Sequence, residues 1–591
     1  MSIQPPSPTI NVVHPLAYAS AFQDTAALRG LVQWWENARR GLCVLVGLGG
    51  AGKTAAADQF LREIGVLGSD RTGSAARPEA TLVFSLAEAN ADAFFIELAI
   101  WLNGDKAIGE TTSYDQLRRR LTAVANAHGP ILLVLDGLEA TQSARTDDGI
   151  GRIVDYRLRD LLFRVAYGAI PGISIVATTR FAVSDIEAQR LPYVLRVDVE
   201  RLDRAAAIGL LRARGVLGTD RDLARVAESF GDHALTIDLA GIYAGHTGVT
   251  PRSVADLGNH GATVAALIPA YRNMIGSDSG RAAADALLAS LAMFRGTVSA
   301  DLLASTVALI RSDLSWEAAA TASALAALLE LRLVRRSGTD AEPSYALHEI
   351  VRDVIYGEID PVVRLYLHES VALLLQERAE ELRNGRATMP RLFDVLEEVV
   401  YHQLRSHHPL AALYTYWQSP DRLGFGNFNV LGHQYSDYTR GERVCRMLNL
   451  EAPPEGIAPY LRDEGNGADA ALISDWGLHL LSLGELGYAE RAHRAAHSRT
   501  VLGQNYANRP ISARNLADVT LLRGLPVEAL RLAEDGKRYA EELVERYEGV
   551  VTREVIDGFD LNLDLMARAQ LLIGDLDGAR NTIDGAEPFT T

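Results

Sequence analysis

The chain has 591 residues, of which 48% are hydrophobic and 23% charged, and its formal net charge at pH 7 is −17. One domain usually takes roughly 100–200 residues, so three or more domains are expected, and the ordinary composition excludes a wholly disordered or fibrous chain. An acidic chain repels the phosphate backbone, which argues against general binding to nucleic acid.

The cysteine count and the apolar runs indicate the compartment. Cys43 and Cys445 fall in different predicted domains. They cannot form a disulfide framework or a cysteine metal cluster, so a reducing environment is expected. No run of about 18 uncharged apolar residues predicts a membrane span, and the N-terminus does not resemble a signal peptide. The expectation is a cytoplasmic protein.

The first predicted domain is of the α/β class. Residues 1–16 are rich in proline and serine and predict a loose leader, which we assign to residues 1–19. Helical patterns then alternate with short apolar runs that predict buried strands at residues 42–46, 81–84, 131–135, 173–177 and 193–197. This alternation predicts a parallel sheet, and we assign residues 20–200 to it.

Strand patterns nearly vanish after residue 200. Residues 201–280 predict a small helical domain. Residues 281–360 predict helices followed by two short strands around residues 337–344, which is the pattern of a winged helix. Residues 361–465 predict further helices that begin an α-solenoid.

Residues 466–591 contain a weak internal repeat. A glycine precedes an alanine by five residues at Gly484, Gly524 and Gly574, each time between two helical patterns. Glycine permits a tight turn and alanine allows close helix packing, so the segment resembles an array of tetratricopeptide repeats. Unrelated helical hairpins are the alternative. Helical arrays commonly bind a protein or peptide on their faces.

A phosphate-binding pattern follows the first buried strand. The segment GLGGAGKT matches G-x-x-x-x-G-K-[ST] in full and opens a helical pattern. Its backbone N–H groups and side chains are candidate ligands of ATP or ADP, at Gly47, Gly49, Gly50, Ala51, Gly52, Lys53 and Thr54. Lys53 is predicted to reach the β- and γ-phosphates and Thr54 to hold Mg²⁺. The alternative, a chance glycine-rich turn, does not explain the flanking strand and helix.

Three more polar residues follow buried strands. Asp136 ends the strand at 131–135, where a second ligand of Mg²⁺ is expected, although many strands end in aspartate. Glu139 is predicted to orient an attacking water, and its alternative is a carboxylate at a helix start. Arg180 is predicted to contact the γ-phosphate, and its alternative is an exposed charge. Together with Lys53 these residues are the candidate catalytic groups.

In their order along the chain, these motifs resemble those of the STAND NTPases (signal-transduction ATPases with numerous domains), which include the NB-ARC and NACHT proteins. The segment DGLE at residues 136–139 resembles the Walker B segment of NACHT-type members. The segment TTR at residues 178–180 resembles the NB-ARC sensor. The segment GDHAL at residues 231–235 resembles the G-x-P-L element, with Ala234 in place of the proline.

The last motif follows the predicted wing. The segment LHE at residues 347–349 resembles the M-H-D motif, with Glu349 in place of aspartate. The resemblance assigns to His348 a contact with the β-phosphate of ADP. A surface or helix-capping histidine is the alternative.

The resemblance implies a switch. ADP holds the nucleotide-binding, helical and winged-helix domains closed, and a protein or peptide trigger on the repeats favours exchange for ATP. ATP-loaded copies then self-associate and act on a separate effector, in bacterial antiviral defence or stress signalling, and slow hydrolysis resets the switch. ATP or ADP and Mg²⁺ are the implied cofactors.

Two other functions stay open. One is a STAND-type transcription regulator that binds DNA through a partner or a missing helix-turn-helix module. The other is a plain P-loop hydrolase. Direct DNA binding by the predicted winged helix is not expected, because its candidate recognition helix at residues 324–332 is mostly apolar, whereas groove-reading helices need exposed donors and cations.

Overall fold

The computed structural model describes residues 4–16, 21, 23–37, 40–68, 76–104, 113–143, 150–259, 264–275, 278–314, 316, 319–338, 342–385, 388–449, 467–503, 506–546 and 553–585. The chain divides into two compact units, Met1–Leu367 and His368–Thr591. None of the helices in these ranges is both long and apolar enough to cross a bilayer.

The first unit begins with a six-stranded parallel sheet. Its strands are β1 (Ile10–Val12), β2 (Gly41–Val46), β3 (Ala80–Ser85), β4 (Ile131–Asp136), β5 (Ile173–Thr179) and β6 (Val194–Asp198). Their spatial order is β1-β3-β4-β5-β2-β6, and all neighbours pair in parallel. The connecting helices are α1 (Ala26–Asn37), α2 (Lys53–Glu63), α3 (Ala91–Asn103), α4 (Tyr114–His128), α5 (Tyr156–Tyr167) and α6 (Ser184–Glu187), with a 3₁₀ turn at Leu138–Thr141.

Both faces of this sheet are buried. In β2, Leu42, Val44 and Val46 pack into one hydrophobic core, whereas Cys43 and Leu45 pack into another. Successive side chains of a strand point to opposite faces, so a strand covered on both sides needs an unbroken apolar run. The predicted parallel α/β fold is confirmed.

The prediction of a loose leader was wrong over residues 8–12, whereas residues 1–3 and 17–19 lie outside the described residues. Residues Ile10–Val12 form the edge strand β1, in which Ile10 pairs with Thr81 and Val12 with Val83 of β3. The indole Nε1 of Trp101 also donates a hydrogen bond of 2.6 Å to the carbonyl of Pro8. The strand is only three residues long and follows prolines, which are tolerated at a sheet edge. The proline- and serine-rich composition of this segment therefore did not predict a strand.

Helices and a small sheet complete the first unit. The helices after β6 are α7 (Arg204–Ala213), α8 (Asp220–Ser229), α9 (Ala234–Thr247), α10 (Pro251–Asn259) and α11 (Ile268–Met274), with a 3₁₀ turn at Val264–Ala266. The winged helix contains α12 (Asp278–Ala292), β7 (Val298–Ser299), α13 (Ala300–Ile310), α14 (Ala319–Glu330), β8 (Val334–Gly338), β9 (Pro343–Leu347) and α15 (Glu349–Glu358). Strands β8 and β9 form the predicted antiparallel wing, and β7 adds a third strand beside β9.

The second unit is helical. Its helices are α16 (Pro361–Asn384), which begins in the first unit, α17 (Met389–Arg405), α18 (Pro409–Trp417), α19 (Asn427–Leu431), α20 (Tyr438–Leu448), α21 (Ala468–Ser482), α22 (Leu486–Leu502), α23 (Arg509–Leu522), α24 (Pro526–Arg546), α25 (Arg553–Ile573) and α26 (Leu576–Asp584). One-turn 3₁₀ helices lie at Pro420–Arg422 and Tyr506–Asn508.

The predicted turn glycines end α21, α23 and α25. Gly484, Gly524 and Gly574 have φ angles of 78°, 79° and 86°, a region that favours glycine. The alanines five residues later are buried, with at most 1% of their surface exposed, at Ala489, Ala529 and Ala579. Each turn therefore closes a tight helical hairpin, and the predicted α-solenoid is confirmed.

The solenoid core contains a histidine that makes its stability depend on pH. His493 of α22 lies against Gly477 of α21, where a Cβ atom would come within 2.7 Å of the imidazole. Burial lowers the pKa of His493 from 6.5 to about 3. Below about pH 6.5, His493 is therefore protonated in the unfolded chain and stays neutral in the folded chain. Stability from the neutral ring is complete above that pH and is lost as the pH falls toward 3.

We expect His493→Leu to reduce the acid sensitivity of the second unit. At pH 5.5 the histidine removes about 1 kcal/mol of stability relative to pH 8, by proton linkage, and leucine removes nothing. Urea unfolding of wild type and variant at both pH values measures this difference. The control is His408→Leu, at a side chain that is 54% exposed in the same unit. An equal loss in wild type and His493→Leu would contradict the prediction.

Candidate nucleotide site

The loop between β2 and α2 carries the phosphate-binding pattern. Gly50 and Gly52 have φ angles of 72° and 100°, which side-chain-bearing residues rarely adopt. At Gly47, a Cβ atom would lie 2.2 Å from the carbonyl oxygen of Val199. Glycine is therefore required by the backbone path at positions 47, 50 and 52. With the parallel sheet, this loop gives the first unit the fold of a P-loop NTPase.

Lys53 points into this loop. Its side chain is 7% exposed, and its Nζ donates hydrogen bonds to the carbonyl oxygens of Gly47 (2.7 Å) and Leu48 (2.9 Å). Burial lowers the pKa of Lys53, and the carboxylates of Glu139 and Asp136 oppose that shift. A poorly hydrated ammonium group beside a helix N-terminus attracts anions, and phosphate fits this environment.

Thr54 and Asp136 meet at the carboxyl end of the sheet. The Thr54 hydroxyl donates a hydrogen bond of 2.7 Å to the Asp136 carboxylate, and the Thr178 hydroxyl donates one of 2.6 Å to the same oxygen. Thr178 accepts in turn from the backbone N–H of Gly137 at 2.9 Å. A hydroxyl and a carboxylate suit Mg²⁺, which binds few protein oxygens and takes its other ligands from phosphates and water. In the ranges that the structure describes, no cluster of three or more His, Cys, Asp or Glu residues suits a metal ion.

Arg180 lies beside the phosphate loop between two carboxylates. Its Nε donates to Glu139 at 3.2 Å, and its Nη1 donates to Glu349 of the winged helix at 2.7 Å. A Cβ atom on Gly49 would be 3.8 Å from the guanidinium carbon. The second carboxylate oxygen of Glu139 is buried and has no hydrogen-bond partner among the described residues, so it is free to accept from a water or a ligand. Arg180 is therefore a paired, partly buried cation and not the exposed charge that was its alternative interpretation.

His348 precedes α15 and approaches the same site. Its Nδ1 accepts a hydrogen bond from the backbone N–H of Ile350 at 3.3 Å, so the neutral ring carries its proton on Nε2. Burial lowers the pKa of His348 to about 3, and nearby cationic groups, including Arg180 and Lys53, act in the same direction. The imidazole is therefore neutral at pH 7 and offers an N–H donor. It also caps the helix, as the alternative interpretation proposed.

The structure thus brings the predicted residues together from distant parts of the sequence. The phosphate loop, Asp136, Glu139, Arg180 and His348 surround one site. Their individual roles toward a nucleotide stay predictions. The sequence analysis assigned no role to His233, which contacts the loop through its imidazole. The only sequence signal near it was the GDHAL segment, in which the expected proline is missing.

Several solved structures are similar to this chain over part or most of its length. A STAND protein with a tetratricopeptide-repeat sensor from Pyrococcus horikoshii matches 97% of this chain and 77% of its own length, with 13% identity and a TM-score of 0.47. The Walker-type ATPase of Pyrococcus abyssi and the ORC2 protein of Aeropyrum pernix each match 56% of this chain. They are matched over 95% and 93% of their own lengths, at 14% identity and TM-scores of 0.30 and 0.27. No family model and no curated protein matches the sequence. Similarities of this size identify no substrate or partner.

Proposed function

We propose that this chain is an ATP/ADP-dependent signalling switch of the STAND type, related to the NB-ARC and NACHT proteins. The observation that carries the proposal is the ion pair between Arg180 of the nucleotide-binding domain and Glu349 of the winged helix. This pair ties a predicted sensor of the γ-phosphate to a separate domain. Hydrolysis of ATP alone does not require an ion pair between the nucleotide-binding domain and the winged helix.

The site residues divide the work of binding. Lys53 and the N–H groups of the loop hold the β- and γ-phosphates, and His348 donates from Nε2 to the β-phosphate in the ADP state. Thr54 and Asp136 hold Mg²⁺, which supplies positive charge to the phosphates when it is bound. Glu139 accepts a hydrogen bond from the attacking water through its unpaired oxygen, and slow hydrolysis returns the switch to ADP.

Arg180 links the identity of the nucleotide to the winged helix. A γ-phosphate is an anion that would compete with the Glu349 carboxylate for the charge of Arg180, whereas ADP lacks that phosphate. Complete reversal of a 1:99 equilibrium takes about 5.5 kcal/mol. One ion pair whose side chains are 32% and 34% exposed supplies less than that. A protein or peptide trigger bound by the solenoid contributes the rest. ATP-loaded copies then self-associate and engage a separate effector, in bacterial antiviral defence or stress signalling.

We expect Glu349→Gln to favour ATP over ADP. Without the carboxylate, Arg180 is released for the γ-phosphate, and the ratio of ATP to ADP affinity should rise about fivefold, the effect of an ion pair of about 1 kcal/mol. Titration calorimetry with both nucleotides measures the ratio. The control is Glu358→Gln, at the other end of α15, where the carboxylate lies 2.8 Å from Arg272. A ratio that stays at the wild-type value would remove Glu349 from the switch.

The nucleotide extracted from the purified protein tests the whole proposal. A switch held closed should carry ADP in nearly every molecule, and loading with ATP should raise the mass measured by light scattering. A plain hydrolase should be purified empty and turn over rapidly. If calorimetry detects no uptake of ADP or ATP by the intact chain, the proposal fails.

A further inference from the structure

The helical domain holds the phosphate loop through two hydrogen bonds. His233 Nε2 lies 2.9 Å from the carbonyl oxygen of Gly49, and because a carbonyl only accepts, Nε2 carries the proton. The backbone N–H of Leu235 donates to the carbonyl of Gly50 at 3.1 Å. Lys53 already occupies the carbonyls of Gly47 and Leu48. Of these four successive loop carbonyls, the last two therefore accept hydrogen bonds from the helical domain.

The approach is too close for any residue but glycine at position 50. A Cβ atom there would lie 2.8 Å from Cε1 of His233 and 2.9 Å from Cβ of Leu235. The turn before α9 delivers His233 to this place. Gly231 and Asp232 both have positive φ angles, of 65° and 56°, and the Asp232 carbonyl accepts from the N–H of Leu202 at 2.9 Å. The backbone of the phosphate loop and the turn before α9 therefore both adopt conformations that allow this contact.

These two bonds fix the direction of the loop's donors. In a planar trans peptide the C=O and N–H groups point in opposite directions. A bond that draws the Gly49 carbonyl toward His233 turns the N–H of Gly50 away from it. The Leu235 bond does the same for the N–H of Ala51, which donates to the Leu48 carbonyl at 3.3 Å within the loop, so the N–H of Gly50 is the one oriented for a ligand. Backbone N–H groups oriented in this way are what a phosphate-binding loop offers to its ligand.

We propose that His233 is a positioning residue for nucleotide binding, which keeps the phosphate loop in its binding conformation while the helical domain is docked. This inference rests on the proposed function, because it requires the loop to bind nucleoside di- and triphosphates. Coupling between sites is reciprocal, so bound nucleotide also stabilises the docked helical domain. The nucleotide then controls the helical domain through the loop itself, in addition to the path through Arg180.

Two substitutions at His233 and one control test this role. His233→Leu removes the donor and should weaken ADP binding about fivefold, the effect of one neutral hydrogen bond. His233→Gln supplies an amide N–H of similar reach and should restore most of the affinity. The control is His246→Leu in the last turn of α9, the helix that follows His233. Its side chain is 43% exposed, and the variant should bind ADP as wild type does. Calorimetry with ADP gives the affinities.

Hydrogen exchange of the nucleotide-free protein provides a second readout. Amides of residues 47–53 should exchange faster in His233→Leu than in wild type, and His233→Gln should restore the protection. Equal ADP affinity in wild type and His233→Leu, with unchanged exchange of the loop, overturns the inference and leaves the proposed function intact. The absence of ADP binding in wild type overturns the proposed function. Failure of His233→Gln to restore either quantity also refutes a positioning role for the imidazole.

Discussion

Replacement of Lys53 by alanine is expected to weaken the binding of ADP and ATP about a hundredfold or more. A hydrogen bond to a charged group is worth up to about 3 kcal/mol, and Lys53 is a buried cation that the loop directs toward its ligand. Calorimetric titration of the intact chain with each nucleotide measures the loss.

The same substitution should leave the nucleotide-free protein folded. Burial lowers the pKa of Lys53, which means that the ammonium group is held there at the expense of its hydration. Its removal relieves that penalty, while Gly47 and Leu48 lose a hydrogen-bond donor. The two effects oppose each other, so the thermal unfolding curve should move little.

A surface lysine provides the matched control. Lys537 of α24 forms an ion pair of 2.8 Å with Glu541 on the same helix, far in sequence from the phosphate loop. Lys537→Ala should therefore bind both nucleotides as wild type does. Undiminished uptake of ADP by folded Lys53→Ala would show that the loop is not the nucleotide site.

Local patterns predicted much of this fold because burial acts on short segments. Strands β2 to β5 are buried along nearly their whole length, so each appeared as an unbroken apolar run. The glycines of the loop and of the helical turns were predictable because backbone conformation restricts those positions. Strand β1 was missed because three residues do not establish a period, and β7 because it has only two.

The contacts that connect the domains could not be predicted from the residues alone. Arg180 and Glu349 are separated by 169 positions, and His233 lies 184 positions from Gly49. No local periodicity encodes such a pair, since it depends on how folded domains pack. The resemblance to M-H-D pointed to His348 and left Glu349 as a departure from the motif. In the structure, the carboxylate of Glu349 accepts a hydrogen bond from Arg180.

Asp136→Asn is the second substitution expected to have a large effect. Asparagine keeps the shape of the side chain, and the hydroxyls of Thr54 and Thr178, which now donate to the carboxylate, can also accept from its amide. The fold should persist while the negative charge that attracts Mg²⁺ is lost. Metal stabilisation of phosphoryl transfer is worth several kcal/mol, so ATP hydrolysis should fall at least about a hundredfold. Mg²⁺ should also no longer strengthen the binding of ATP.

Asp198 distinguishes a metal ligand from an ordinary aspartate at the end of a strand. It ends β6 as Asp136 ends β4, but its side chain is 51% exposed and pairs with Arg196 at 2.7 Å. Asp198→Asn should therefore keep the wild-type hydrolysis rate and the wild-type dependence of ATP affinity on Mg²⁺. If Asp136→Asn keeps both as well, then Asp136 ends its strand without holding the metal, and the hydrogen bond from Thr54 serves packing alone.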